Sequence, residues 1–338
     1  MTKSTDRFNT VFIVADQWRG DCLGLLDGPH PVMTPHVNQL AAEGVRFTQA
    51  YADCPLCMPQ RATMLTGQYA SRFGLPYNFW PDHRTPVAPA TGLPGRLTRE
   101  AGYQTKAIGK MHFYPDRARL GFEHIVLHPN DYVNWLEDQG FGGMYRGHGL
   151  GGNEVYPAVS AVPERFSHTH WIVRFPPDFP ILQPSLEIDA PVLTADICPT
   201  LLSLAQLEPG PDSDGVSLLP AVQSGQVLDG RVIFGESVLS AFATDGRYKY
   251  IYYPEGGIEQ LFDLAHDAYD LTNLAATDQH QAIRAGLRGK LIDHLSRFNR
   301  PMVDNGDLIC LEPQLDEAAL RAQNPMAWRG PLRYGQGY

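Results

Sequence analysis

The sequence lacks a long hydrophobic run, a disulfide framework and a basic surface. Its first apolar stretch, Val11–Ala15, is far below the about 20 residues that cross a bilayer and too short for a signal-peptide core. Met1–Asn9 before it is polar. The five cysteines (Cys22, Cys54, Cys57, Cys198, Cys310) are odd in number and scattered, so no set of paired bridges is implied. Cys54 and Cys57 form a C-x-x-C pair, yet a zinc site wants a second such pair or a histidine pair at ligand spacing, and none follows. A reversible redox role for the pair lacks a thioredoxin-like βαβ context. The 27 Lys and Arg against 37 Asp and Glu leave a net charge of −10, which argues against nucleic acid as a main partner. A small anionic ligand needs only a few local cations and stays open. The expectation is a cytoplasmic protein off the membrane, of unspecified oligomeric state.

With 338 residues, 43% hydrophobic and 19% charged, the chain can bury one large core and carry a small second domain. Val11–Ala15 reads as a buried strand that delivers Asp16 at its C-terminal end. A helix is expected over Pro35–Gly44, with Thr34 as its cap. The alternation in Val45–Tyr51 predicts a strand, Pro59–Thr66 a helix with Gly67 just past its end, Leu93–Ala101 a helix, and Thr105–Ile108 a strand ending at Gly109. Strand and helix in alternation predict an α/β fold with a mainly parallel central sheet flanked by helices.

The glycine-rich segment Gln139–Gly152 and the proline-rich segment Phe175–Pro184 read as loops, and Thr194–Gln206 has helical spacing. From Arg231 the pattern changes to short strands at Val232–Glu236, Ala241–Thr244, Tyr248–Tyr253 and Gln260–Asp263. An amphipathic helix over Gln279–Phe298 follows. This predicts a core over residues 1–228 and a C-terminal α+β unit over 229–338, a small antiparallel sheet with one helix.

Cys57 lies in Cys57-Met58-Pro59-Gln60-Arg61, at the start of a helix that Pro59 helps to open. Helix N-termini favour anions, and Arg61, one turn in, adds a fixed cation that could hold an oxyanion. Alone, the pentapeptide reads better as a buried structural cysteine at a helix start. It stands, however, in an ordered series. Asp16-Gln17 precedes it, then Thr34-Pro35-His36-Val37-Asn38-Gln39-Leu40-Ala41 and Gly44-Val45-Arg46-Phe47. After it come Ala62-Thr63-Met64-Leu65-Thr66-Gly67-Gln68-Tyr69 and Gly102-Tyr103-Gln104-Thr105-Lys106-Ala107-Ile108-Gly109-Lys110-Met111-His112. This series resembles the N-terminal half of the formylglycine-dependent sulfatases and of their relatives, the phosphonate monoester hydrolases, in the alkaline phosphatase superfamily. Asp196-Ile197-Cys198-Pro199-Thr200, Asp214-Gly215-Val216-Ser217 and Asp245-Gly246-Arg247-Tyr248 resemble its C-terminal part.

The resemblance implies a chemistry. Cys57 would be oxidised by a formylglycine-generating maturation enzyme. The hydrated aldehyde would attack the sulfur or phosphorus of a small sulfate or phosphonate ester and regenerate itself. A divalent metal, Ca2+ first and Mn2+ as an alternative, would be held by Asp16, Gln17 and residue 57. Arg61 would stabilise the nucleophile; Lys110 and His112 would contact it and the transferred group, with His112 suited to proton transfer near neutral pH. Asn78 sits where relatives place an asparagine near the substrate. Gln60 departs from the serine often found before the arginine. His168 and His170 read as a loop-to-helix junction and not as a metal pair.

One part of the family pattern is missing. Relatives carry an Asp-His-Gly or Asp-Asn-Gly strand that completes the metal site, together with a lysine and often a histidine for the leaving group. Here Trp171-Ile172-Val173 runs straight into Arg174-Phe175-Pro176, which reads as an internal deletion near residues 172–175. The implied consequence is an enzyme crippled or inactive in this short form, since cation affinity follows ligand count and charge. The alternatives are a phosphonate monoester or phosphodiester hydrolase of the same superfamily, or a non-catalytic pseudo-sulfatase that binds an anionic ester.

Overall fold

The structure is a computed structural model; it describes residues 8–15, 18, 20, 22–26, 32–74, 78, 87–115, 117–127, 130–140, 169–226, 228, 230–237, 239–267 and 270–312. Four sheets organise the described residues, the smallest a two-stranded hairpin of Val303–Asp304 with Asp307–Leu308. In the first, β1 (Val45–Tyr51) is central, antiparallel to β4 (Thr169–Val173) and parallel to β5 (Leu186–Leu193). A second, parallel pair joins β2 (Lys106–Gly109) to β3 (His124–Leu127). The third is an antiparallel meander of β6 (Ile233–Glu236), β7 (Ala241–Thr244), β8 (Tyr248–Tyr253) and β9 (Ile258–Asp263). Helices α1 (Pro35–Glu43), α2 (Cys57–Thr66), α3 (Ala70–Phe73), α4 (Leu93–Ala101), α5 (Asn130–Asp138), α6 (Ile197–Leu204), α7 (Leu219–Ser224) and α8 (Gln281–Arg297) complete the fold. The α/β class and the small antiparallel sheet with one long helix agree with the sequence reading. No described helix is long and apolar enough to cross a membrane.

The predicted strand over Val11–Ala15 does not form. These residues belong to no helix or strand; Val11 and Ile13 are 83% and 82% exposed. Phe12 and Val14, on the alternate side, line a cavity of about 490 Å³ together with residues of β2, α2, α4 and α6. Among the described residues the segment therefore joins no sheet. A β-branched run becomes a strand only when a neighbouring edge takes its backbone groups. Ile108 of β2 is likewise 75% exposed. His168 lies outside the described residues, whereas His170 falls in β4 and not at a loop-to-helix junction.

The meander packs on the first sheet. Tyr51, Tyr69, Leu193 and Ala195 share one buried cluster with Ile233, Phe242, Ile251 and Phe262. Gly235 permits this approach, because a Cβ there would come within 2.3 Å of the Phe242 ring and 2.5 Å of the Asp53 carbonyl oxygen. Ion pairs fasten the same boundary. Asp196 accepts both guanidinium nitrogens of Arg231 at 2.7 Å, and Asp214 takes Arg72 from α3 and Arg297 from α8. Arg300 reaches buried Glu236 at 2.7 Å.

His294 of α8 lies in this boundary, stacked on Phe234 at 4.4 Å and edge-on to Tyr69 at 4.8 Å. Burial is the main cause that pushes its imidazole down to about 4, with Asp214 opposing and Arg297 assisting. Below the ordinary value of 6.5 the unfolded chain takes up a proton that the folded chain refuses. This contribution to stability is thus complete above about pH 6.5 and is lost as pH falls toward about 4. The gap is worth about 3 kcal/mol. Denaturation midpoints of wild type and His294→Phe should accordingly diverge in slope between pH 4 and pH 7, the wild type gaining on the variant as pH rises. Parallel curves would contradict the assignment.

Candidate active site

Helix α2 starts at Cys57, two residues before the predicted start. Leu56 is extended (φ −122°, ψ 152°) and acts as N-cap without a side-chain cap bond. Pro59 is then the third helical residue, tolerated because first-turn N–H groups have no partner inside the helix. At the other end Gly67 takes the left-handed conformation (φ 71°) that ends the helix, and its carbonyl accepts the N–H groups of Asp214 and Gly215. Buried Met58, Pro59, Ala62, Thr63 and Met64 seat the helix on the core.

This seating brings together four of the predicted residues. Lys110, directly after β2, donates from Nζ to Cys57 Sγ at 3.3 Å. Arg61 donates to the Lys110 carbonyl oxygen, tying α2 to the end of β2. Met58 N–H donates to Asn78 Oδ1 at 3.1 Å. His112 follows Lys110 on the exposed side of the same loop at φ 53°. Asp16 and Gln17 lie outside the described residues. The environment of Cys57 is cationic, made by an ammonium, a guanidinium and a helix start, and it suits an anion.

The metal assignment finds no further support in this donor set. Among the described residues no group of three or more His, Cys, Asp or Glu side chains gathers at a common point. The described partner of Cys57 Sγ is a donor, the Lys110 ammonium.

Cys54 differs from Cys57 in burial. It is buried, and burial pushes its thiol well above the ordinary range, with Asp53 and Glu236 adding to the shift. Both are free thiols, and the buried one is poorly suited to redox exchange.

A feature that sequence reading missed lies directly beneath α2. Asp53 is buried and accepts the Ala70 N–H and the hydroxyls of Thr63 (3.1 Å) and Thr194 (3.5 Å). Its backbone carbonyl receives the Glu236 N–H at 2.7 Å. Burial, partly offset by these bonds, pushes its carboxyl up to about 6. Gln60, the departure in the pentapeptide, accepts from Thr194 at 3.2 Å and joins the same hub. No local pattern marks it; its side-chain partners are up to 141 residues away.

Comparison with known proteins agrees with this picture. The sulfatase family model matches residues 8–150. An arylsulfatase of Clostridium perfringens is 30% identical over 201 residues, covering 51% of this chain and 39% of that protein. An ulvan-active sulfatase of Formosa agariphila is 36% identical over 126 residues, 34% of this chain and 23% of that one. The chain thus spans well under half the length of these relatives. Among solved structures, a phosphonate monoester hydrolase from Silicibacter pomeroyi superposes with a TM-score of 0.64 at 17% identity, over 86% of this chain and 95% of that one. A protein solved with its substrate D-glucosamine-2-N,6-O-disulfate gives 0.62 at 14% identity, over 83% and 96%. Residues 8–150 thus match the sulfatase family model, and the chain as a whole shares its fold with these solved structures.

Proposed function

We propose that this chain is a sulfuric ester hydrolase whose reacting position is residue 57, oxidised to formylglycine by a maturation enzyme. One observation carries the reading. The Lys110 ammonium stands 3.3 Å from Cys57 Sγ at the start of a ten-residue helix, on a chain matched to sulfatases over residues 8–150. The formylglycine supplies an oxygen nucleophile that is restored at the end of each turnover. Lys110 and Arg61 hold and polarise the negative ester group, where fixed donors act without reorganising. His112 serves as the proton-transfer group. A divalent cation, calcium before manganese, would be held by Asp16, Gln17 and residue 57 and would polarise the ester oxygen.

That ligand set is small. The family's second ligand pair has no counterpart in the sequence. Among the described residues, the Val11–Ala15 segment outside any sheet and exposed Ile108 fit a sheet that has lost a strand. We therefore place turnover well below ordinary enzyme rates. The phosphonate monoester hydrolase reading is second, favoured by the superposition on the Silicibacter pomeroyi protein.

The two are separated with 4-nitrophenyl sulfate and 4-nitrophenyl phenylphosphonate, offered to protein co-produced with a formylglycine-generating enzyme and supplied with calcium or manganese. The expected result is slow, metal-stimulated release from the sulfate, below about 1 s⁻¹, faster than from the phosphonate. Preference for the phosphonate would move the chain to the second reading. Sulfate turnover across the ordinary range of about 1–10³ s⁻¹ would contradict the impairment. Binding of inorganic sulfate with no turnover of either ester would make it a pseudo-sulfatase.

A further inference from the structure

The first turn of α2 cannot cap itself. Its N-cap is Leu56, which has no polar side chain, and no acidic residue occupies its first turn. Met58 is nevertheless buried, and a buried N–H without an acceptor is costly. The acceptor comes from outside the helix: Asn78 Oδ1, 20 residues along the chain, takes the Met58 N–H at 3.1 Å. Because a backbone N–H only donates, this bond also fixes which way the Asn78 amide points.

Cys57 lies between that cap and Lys110. The residue after it is held by Asn78, and its own Sγ receives Lys110 Nζ at 3.3 Å. Fraying of the first turn would move residue 57 away from the ammonium. We propose that Asn78 is a positioning residue that caps α2 from outside and so holds residue 57 against Lys110. The side-chain oxygen is the working atom, which differs from the substrate contact implied by resemblance. The inference rests on residue 57 being the reacting position, but its test uses no turnover.

The test uses full-length protein made without the maturation enzyme, so that residue 57 is a thiol. o-Phthalaldehyde condenses with one primary amine and one thiol to a fluorescent isoindole with release of two waters. It bridges the two groups within one chain only when they are adjacent. Wild type should give an isoindole between Cys57 and Lys110, located by peptide mass spectrometry. Asn78→Ala should slow bridging by about fivefold and speed exchange of the Met58 amide by a similar factor, the effect of one lost cap. Asn78→Asp keeps an acceptor oxygen and should return both rates to within about twofold of wild type. Buried Cys54 and Cys198 report general loosening and should stay unreactive toward iodoacetamide, while exposed Cys310 reacts equally in all variants.

The proposal is overturned if wild type forms no such bridge, or if Asn78→Ala bridges within about twofold of wild type. It also falls if the slowing comes with reactive Cys54 and Cys198, or if Asn78→Asp fails to restore the rates. An absence of aldehyde in co-produced protein would defeat the functional reading alone and leave this result standing.

Discussion

Asp196→Ala should destabilise the protein by about 3–5 kcal/mol, the cost of removing one partner of a buried ion pair. The Asp196 side chain is fully buried, and Arg231 opposite is partly buried, its side chain 15% exposed. The carboxylate accepts two guanidinium bonds at 2.7 Å, the Leu193 N–H at 2.7 Å and the Val216 N–H at 2.8 Å. Alanine would leave a partly buried guanidinium and two backbone donors without their acceptor. These bonds join the end of β5 to the segment that enters the meander, so the loss falls where the two sheets meet. Arg231→Met in the same chain should recover part of it by removing the stranded charge, giving a coupling of about 1–3 kcal/mol. Urea midpoints of the two single variants and the double variant check this. A single-variant loss below about 1 kcal/mol would show that solvent or another cation replaces the pair.

Cys57→Ala should remove ester turnover by at least about 10³-fold, since no other group can supply the nucleophile. It should leave stability within about 1 kcal/mol, because Cys57 is only half-buried and outside the main buried clusters. Lys110→Met should lower turnover by about 10–100-fold, a charged donor acting on an oxyanion being worth a few kcal/mol. Long product-accumulation assays are needed against the slow expected wild-type rate. Turnover retained in Cys57→Ala would place the chemistry elsewhere.

Local signals in the sequence were reliable where the chain satisfies them locally. Val45–Tyr51, Leu93–Ala101, Ala241–Thr244 and Tyr248–Tyr253 occupy the elements predicted for them. Their alternation or helical spacing meets a sheet neighbour or core face that the chain supplies. Val11–Ala15 carries an equally apolar pattern, yet among the described residues it meets no strand edge, so its residues alternate between a cavity and solvent. The site divides in the same way. Cys57, Arg61 and Lys110 were legible because their motifs are contiguous, and the structure joins them. Asn78 was legible only as a position; its cap depends on a contact across 20 residues. The Asp53 hub had no pattern at all, because its hydroxyl partners come from separate elements that only tertiary packing brings together.

The central claim concerns what residue 57 becomes. Trypsin should release the peptide Phe47–Arg61, which holds Cys54 and Cys57. After co-production with a formylglycine-generating enzyme, its mass spectrum should show sulfur replaced by a carbonyl oxygen at residue 57, with Cys54 still a thiol. The aldehyde should react with a hydrazide probe and be absent from Arg61→Ala. An unmodified thiol at residue 57, under conditions that convert a control sulfatase, would contradict the account.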